Sequence, residues 1–105
     1  MSITSSLLSI NADNVYTSSG NTAVTWISIN NYSDLAAIAN VYVVPTSDTL
    51  AESKYQVLTR LEIQAGDTYQ VYAGGEKLIL SNGESIQASA NAITRLNVVV
   101  SYTEI

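Results

Sequence analysis

Two acids, Asp67 and Glu84, hold matching positions in a stretch that says the same thing twice. Arg60-Leu61-Glu62-Ile63-Gln64-Ala65-Gly66-Asp67-Thr68-Tyr69-Gln70-Val71 is echoed by Lys77-Leu78-Ile79-Leu80-Ser81-Asn82-Gly83-Glu84-Ser85-Ile86-Gln87-Ala88. A pair of carboxylates is the minimum equipment for glycoside hydrolysis, so that is the first chemistry to weigh. The surrounding residues give a plainer account. In each copy a base and alternating apolar residues lead to a glycine, an acid follows at once, and alternation resumes: strand, tight turn, strand. Glycine supplies the backbone angle of a reversal, and the acid can accept a hydrogen bond from a turn amide. Turn capping therefore explains both acids. Other catalytic equipment is missing. The chain has no histidine and no cysteine, which removes Ser–His and Cys–His nucleophile pairs and the usual zinc ligands. No serine sits in a Gly-x-Ser-x-Gly elbow. The expectation is a protein that is not an enzyme, with no cofactor and no catalytic residue.

Two loops are rich in oxygen ligands of the kind hard cations take: Asn11, Asp13 and Asn14, and Asn30, Asn31 and Asp34. Neither follows an EF-hand pattern, and Asn and Asp are ordinary turn residues, so no metal site is expected. Gly74-Gly75-Glu76 is no phosphate cradle, because neither Lys-Ser/Thr nor a helix follows it. The aromatics remain: Trp26 and tyrosines 16, 32, 42, 55, 69, 72 and 102. Tyrosine joins apolar area to a polar tip, which suits protein interfaces and also carbohydrate-stacking platforms. Trp26, on a central strand, reads as core. Tyr32 and Tyr72 fall in or near loops, or opposite the core register, and are the aromatic interface candidates.

These side chains need elements to hold them, and the elements read as strands. Residues 2–10 alternate loosely around Ile3, Leu7 and Ile10, as an edge strand or as an extended arm; Ile3 and Leu7 join the interface candidates on that ground. Val15–Thr17 is a short strand. Residues 22–30 are apolar on both faces, with Val24 and Trp26 on one and Ala23, Ile27 and Ile29 on the other, as in a central strand. A loop over 35–40 leads into Val41–Val44, which Pro45 ends. The segment 46–54 is the place for a helical turn, capped by Ser47 or Asp48. Tyr55–Ile63 alternates with Tyr55, Val57, Leu61 and Ile63 on one face. The repeat then supplies two hairpin-like reversals, separated by a turn at Ala73–Glu76. Thr94–Ile105 turns Leu96, Val98, Val100 and Tyr102 inward. About eight short strands with turns at this spacing predict an all-β fold, a single antiparallel β-sandwich of jelly-roll or immunoglobulin-like type. Residues 1–10 form its arm or edge strand and 11–105 its body.

Composition sets the outer limits. At 105 residues the chain is one domain, since halves would be too small to hold a core without staples. Charged residues make up only 12%, about half the usual share, so much of the surface is neutral and polar. Such a surface suits ordered assemblies better than free monomers. The four bases, Lys54, Arg60, Lys77 and Arg95, are scattered within a net charge of −5, leaving no basic run to follow a phosphate backbone. Nucleic acid is not an expected partner. The first residues lack a signal-peptide pattern and no apolar run approaches the ~20 residues of a membrane helix, so a cytoplasmically made protein with no membrane partner is expected.

Three stretches carry a resemblance: Val15-Tyr16-Thr17-Ser18-Ser19-Gly20-Asn21-Thr22-Ala23-Val24, the glycine-acid turn within 78–88, and the terminal Val98-Val99-Val100-Ser101-Tyr102-Thr103-Glu104-Ile105. Together they resemble small β-sandwich virion structural proteins of tailed bacteriophages, over roughly residues 15–105. The resemblance implies a non-enzymatic subunit present in many copies on the virion. Capsid decoration or cement is the first role implied, and a neck, tail or baseplate accessory the second. Its partners would be the major capsid protein or other virion proteins and further copies of itself in a homo-oligomer, and its location the virion. A carbohydrate-binding sandwich module is the alternative from another class.

Overall fold

The computed structural model of the chain describes residues 2–47, 51–71 and 78–105. Nine strands follow one another: β1 Ser2–Leu7, β2 Asp13–Thr17, β3 Thr22–Asn31, β4 Ala37–Val44, β5 Gln56–Ile63, β6 Thr68–Val71, β7 Leu78–Leu80, β8 Ser85–Ala90 and β9 Leu96–Glu104, with one 3₁₀ turn at Ser53–Tyr55. They form two antiparallel sheets. Sheet A runs β1-β9-β3-β6, with β7 also on β3, and sheet B runs β2-β8-β4-β5. The shortest dimension is 18 Å, room for two layers about 10 Å apart and no third. The all-β sandwich expected from the sequence is the fold observed.

Its pairing is nested. β1 pairs with β9, β2 with β8, β3 with β6 and β7, and β4 with β5. A single long hairpin with its tip between β4 and β5 has been rolled up, so that its successive pairs are dealt into alternate sheets and new pairs, β9 with β3 and β8 with β4, close the sheets. That is the jelly-roll plan, not the immunoglobulin one. β6 and β7 lie in line along one side of β3, opposite Ile27–Asn30 and Thr22–Val24, and together fill one strand's place. This is why nine strands stand where about eight were expected.

Between the sheets, Val24, Ile27, Ile29, Leu96, Val98 and Val100 from sheet A meet Val15, Ala37, Ala39, Val41, Ile63, Ile86 and Ala88 from sheet B. Several sequence expectations are corrected by bulges. The register of β3 on β9 slips between Val24 and Trp26. Thr25 is the extra residue, so Val24, Ile27 and Ile29 share the core face and Trp26 turns outward, half-buried. β5 slips twice against β4, which turns Leu58 to the core and leaves Val57 53% exposed, the reverse of the alternation expected there. At the second slip Arg60 has a φ of 48°, and its amide donates to the Asn40 side-chain oxygen at 2.9 Å. β4 also begins earlier than expected: the alanines at 37 and 39 are fully buried strand residues. Asp48 and the turn expected at Ala73–Glu76 lie outside the described residues.

Residues 2–10 resolve into an edge strand. β1 pairs with β9 without a break from Ser2↔Tyr102 to Leu7↔Asn97, and Leu8 then dips into the core, 2% exposed.

Each copy of the repeat does make a tight turn, and in both the glycine has positive φ, 79° at Gly66 and 85° at Gly83. The amides of Asp67 and Glu84 close the turns on Gln64 and Ser81 oxygens, a type II pattern with glycine third. The strands on either side do not pair with each other, so these are not hairpins. Copy one passes from β5 in sheet B to β6 in sheet A, and copy two from β7 in sheet A to β8 in sheet B. Both are arches across the sandwich.

Candidate functional site

The two arches dock in the same way at opposite ends of β3. Gly66 N–H donates to the Asn31 carbonyl, and Asn31 N–H donates to the Asp67 carbonyl; Gly83 and Glu84 repeat both bonds with Ser18. Asp67 and Glu84 are therefore separated by the length of a ten-residue strand, roughly 30 Å, and do not converge on one bond as a hydrolytic pair would. Glu84 accepts the Ser81 amide at 2.6 Å, the capping role expected of it, while Asp67 is exposed.

Four of the six side chains in the oxygen-rich loops, Asp13, Asn14, Asn30 and Asn31, are engaged within the fold. Ser9 Oγ donates to Asp13, Thr17 Oγ1 to Asn14 and Thr68 Oγ1 to Asn30. Asn31 is fully buried, donating to the Leu35 and Ile63 carbonyls and accepting from the Ser33 amide and hydroxyl. Among the described residues no three acids gather in one place, and no helix is long and apolar enough to cross a membrane. A cavity of about 50 Å³ lies between the sheets, lined by Ile27, Val41, Leu58, Val71, Leu78 and Ile86 among others. It is apolar and, among the described residues, offers no polar side chain to orient a ligand.

The most distinctive surface is the outer face of sheet A. Opposed residues of an antiparallel ladder share a face, so the register lays it out in rows: Leu7, Asn97, Asn30 and Thr68; Ser5, Val99, Ser28 and Gln70; Ile3, Ser101 and Trp26; Thr103, Ala23 and Ile79. None of these residues is charged, in a chain with thirteen charged side chains (nine acids plus four bases). Ile3 is 68% exposed, Leu7 63% and Ile79 55%. Asn97 Oδ1, in the first row, is the buried polar atom without a hydrogen-bond partner among the described residues. The outer face of sheet B differs, since its edge strand carries Arg60 and Glu62.

Of the interface candidates, Ile3 and Leu7 are brought together on this face, two pleats apart on β1. Tyr32 is 48% exposed just beyond β3, its amide on the Arg95 carbonyl, at the Leu7 end of the same sheet. Tyr72 lies outside the described residues. Trp26, read from the sequence as core, belongs to the face instead, and a bulge that leaves no mark in local sequence is what hid it. Among the described residues the tyrosines do not assemble a platform. Tyr16 and Tyr102 stack inside, ring centres 4.2 Å apart, and Tyr69 lies on the sandwich-facing side of β6, opposite Ile29.

No family model, curated protein or solved structure matches the chain.

Proposed function

We propose that this is a non-catalytic structural subunit that works by association through the outer face of sheet A, and that the assembly it serves is a tailed-phage virion. The observation that carries the first part is the face itself: a five-stranded surface whose described residues carry no charge, with Ile3, Leu7, Trp26 and Ile79 set among mostly short polar side chains. Self-repulsion is weakest there, and the exposed apolar groups gain from being covered. The virion setting rests on the resemblance of the 15–24, 78–88 and 98–105 stretches. A jelly roll is compatible with that setting and with lectins alike, so the fold does not choose between them. Within a virion, decoration or cementing of the head is the reading for a compact sandwich, and a neck, tail or baseplate position is the second.

Antibody-gold labelling of intact virions by electron microscopy tests this. Gold over the heads is the expected outcome. Gold confined to the neck or tail moves the role to joining or adsorption. Unlabelled particles, with the chain missing from purified virions by mass spectrometry, overturn the virion reading. The carbohydrate-binding alternative would then be tested on a glycan array, with Tyr32→Ala as the diagnostic variant.

A further inference from the structure

A two-sheet sandwich has four edges, and three of them here are protected against strand pairing in the usual ways. β2 is five residues long, bulged beside Val15, and begins with Asp13. β5 is bulged twice and carries Arg60 and Glu62. The edge of β3 is filled by β6 and β7, four and three residues long. The fourth edge, β1, is Ser2-Ile3-Thr4-Ser5-Ser6-Leu7: six residues, unbulged, with no charge and no proline. It gives the core little, since Ile3 and Leu7 both point outward.

The backbone groups on the outer side of β1 follow from its register, the Leu7 carbonyl among them meeting only a long 3.4 Å contact from Ser6 Oγ. Leu8 N–H donates to the Leu96 carbonyl, and the register continues unbroken from there. Backbone groups alternate sides along a strand, so Ser2, Thr4 and Ser6 bond to β9 while Ile3, Ser5 and Leu7 aim their N–H and C=O groups away from it.

We propose that two copies of the chain join edge to edge through β1, antiparallel about a twofold axis at Ser5, to form one continuous sheet. Ile3 of each copy then lies opposite Leu7 of the other and Ser5 opposite Ser5, and roughly six ladder hydrogen bonds form. The strand suits itself as occupant. Its pattern around Ser5 is apolar-small-apolar in both directions, so like meets like without a mispaired side chain. With a net charge of −5 per chain, a neutral edge is where two copies can approach without facing like charges. Each copy has a single unprotected edge among its described strands, so the pairing closes as a dimer and does not propagate into a fibre. The inference rests on reading sheet A as the association surface, and not on the virion setting.

Sedimentation velocity on the full chain tests it. The expected result is a particle of twice the 11.2 kDa chain mass, and a halving of that mass in Ser5→Pro with the far-UV circular dichroism unchanged. Proline at Ser5 removes an N–H that β9 does not use, and an outward N–H is where an edge strand accepts proline. Should Ser5→Pro lose its fold, Leu7→Lys replaces it, an edge lysine that leaves the backbone intact. Thr59→Lys, at an exposed position on β5 in the other sheet, stays dimeric. A monomeric wild-type chain, a folded Ser5→Pro or Leu7→Lys chain that remains dimeric, or a folded but monomeric Thr59→Lys chain overturns the proposal. The two readings fail separately: a dimer with unlabelled virions spares the edge pairing, and labelled virions with a monomeric chain spare the virion.

Discussion

Asn31 shows how far a single residue's role can lie from its local appearance. In the sequence it belongs to an Asn-Asn-Tyr-Ser-Asp break and reads as turn chemistry or a cation ligand. In the fold it is buried at the end of β3, where its side-chain amide reaches Leu35 and Ile63 carbonyls at 2.8 and 2.9 Å. Its backbone also receives the first arch. Asn31→Ala strands those two carbonyls, and the expected loss is about 3 kcal/mol in urea denaturation. Asp67→Ala, one hydrogen-bonded neighbour away but exposed, changes stability by less than ~0.5 kcal/mol in the same assay. Nothing in the composition of the loop separates the two. Only the 32-residue separation between Asn31 and Ile63, closed by the fold, assigns the larger role to Asn31.

At the scale of elements, the repeat was readable and its use was not. A glycine before an acid between alternating runs announces a turn, and both turns are present with the positive φ that glycine supplies. Which sheet each strand joins depends on pairing with distant strands, and bulges at Thr25 and in β5 invert the inside–outside reading around them. Trp26 and Val57 depart from their expected faces for that reason, whereas β9 keeps strict alternation from Leu96 to Val100 and turns the expected residues inward. The two turn glycines are similar but unequal. A Cβ at Gly66 meets nothing within 4 Å, and one at Gly83 comes 3.0 Å from Thr46 Cγ2. Gly66→Ala is expected to cost about 1 kcal/mol from backbone strain alone, and Gly83→Ala measurably more. Paired thermal melts check the order, and equal losses would mean that Thr46 gives way freely.

For the molecule as a whole, strand-forming composition and regular turns were enough to predict an antiparallel sandwich, and the neutral surface pointed to association. Strand order was out of reach, because the nested pairing brings Ser2 to Tyr102 and no local signal spans that distance. The same nesting makes the two ends of the chain unequal. β9 lies between β1 and β3 and contributes Leu96, Val98 and Val100 to the core, so a chain cut before Leu96 is expected to be unfolded by circular dichroism. A chain begun at Leu8 loses ladder bonds but no fully buried side chain of β1, and is expected to stay folded with a lower melting temperature.

Because Ser2 sits beside Tyr102 on antiparallel neighbours, a mechanical load applied between the two ends of this chain would not shear the β1–β9 ladder. It would open that ladder like a zip, one rung at a time from Ser2 toward Leu7, at far lower force than a sliding geometry withstands. Seated edge to edge against a second copy, β1 would be gripped on both sides. The same strand would then pass from the weakest mechanical point of the molecule to the middle of a sheet.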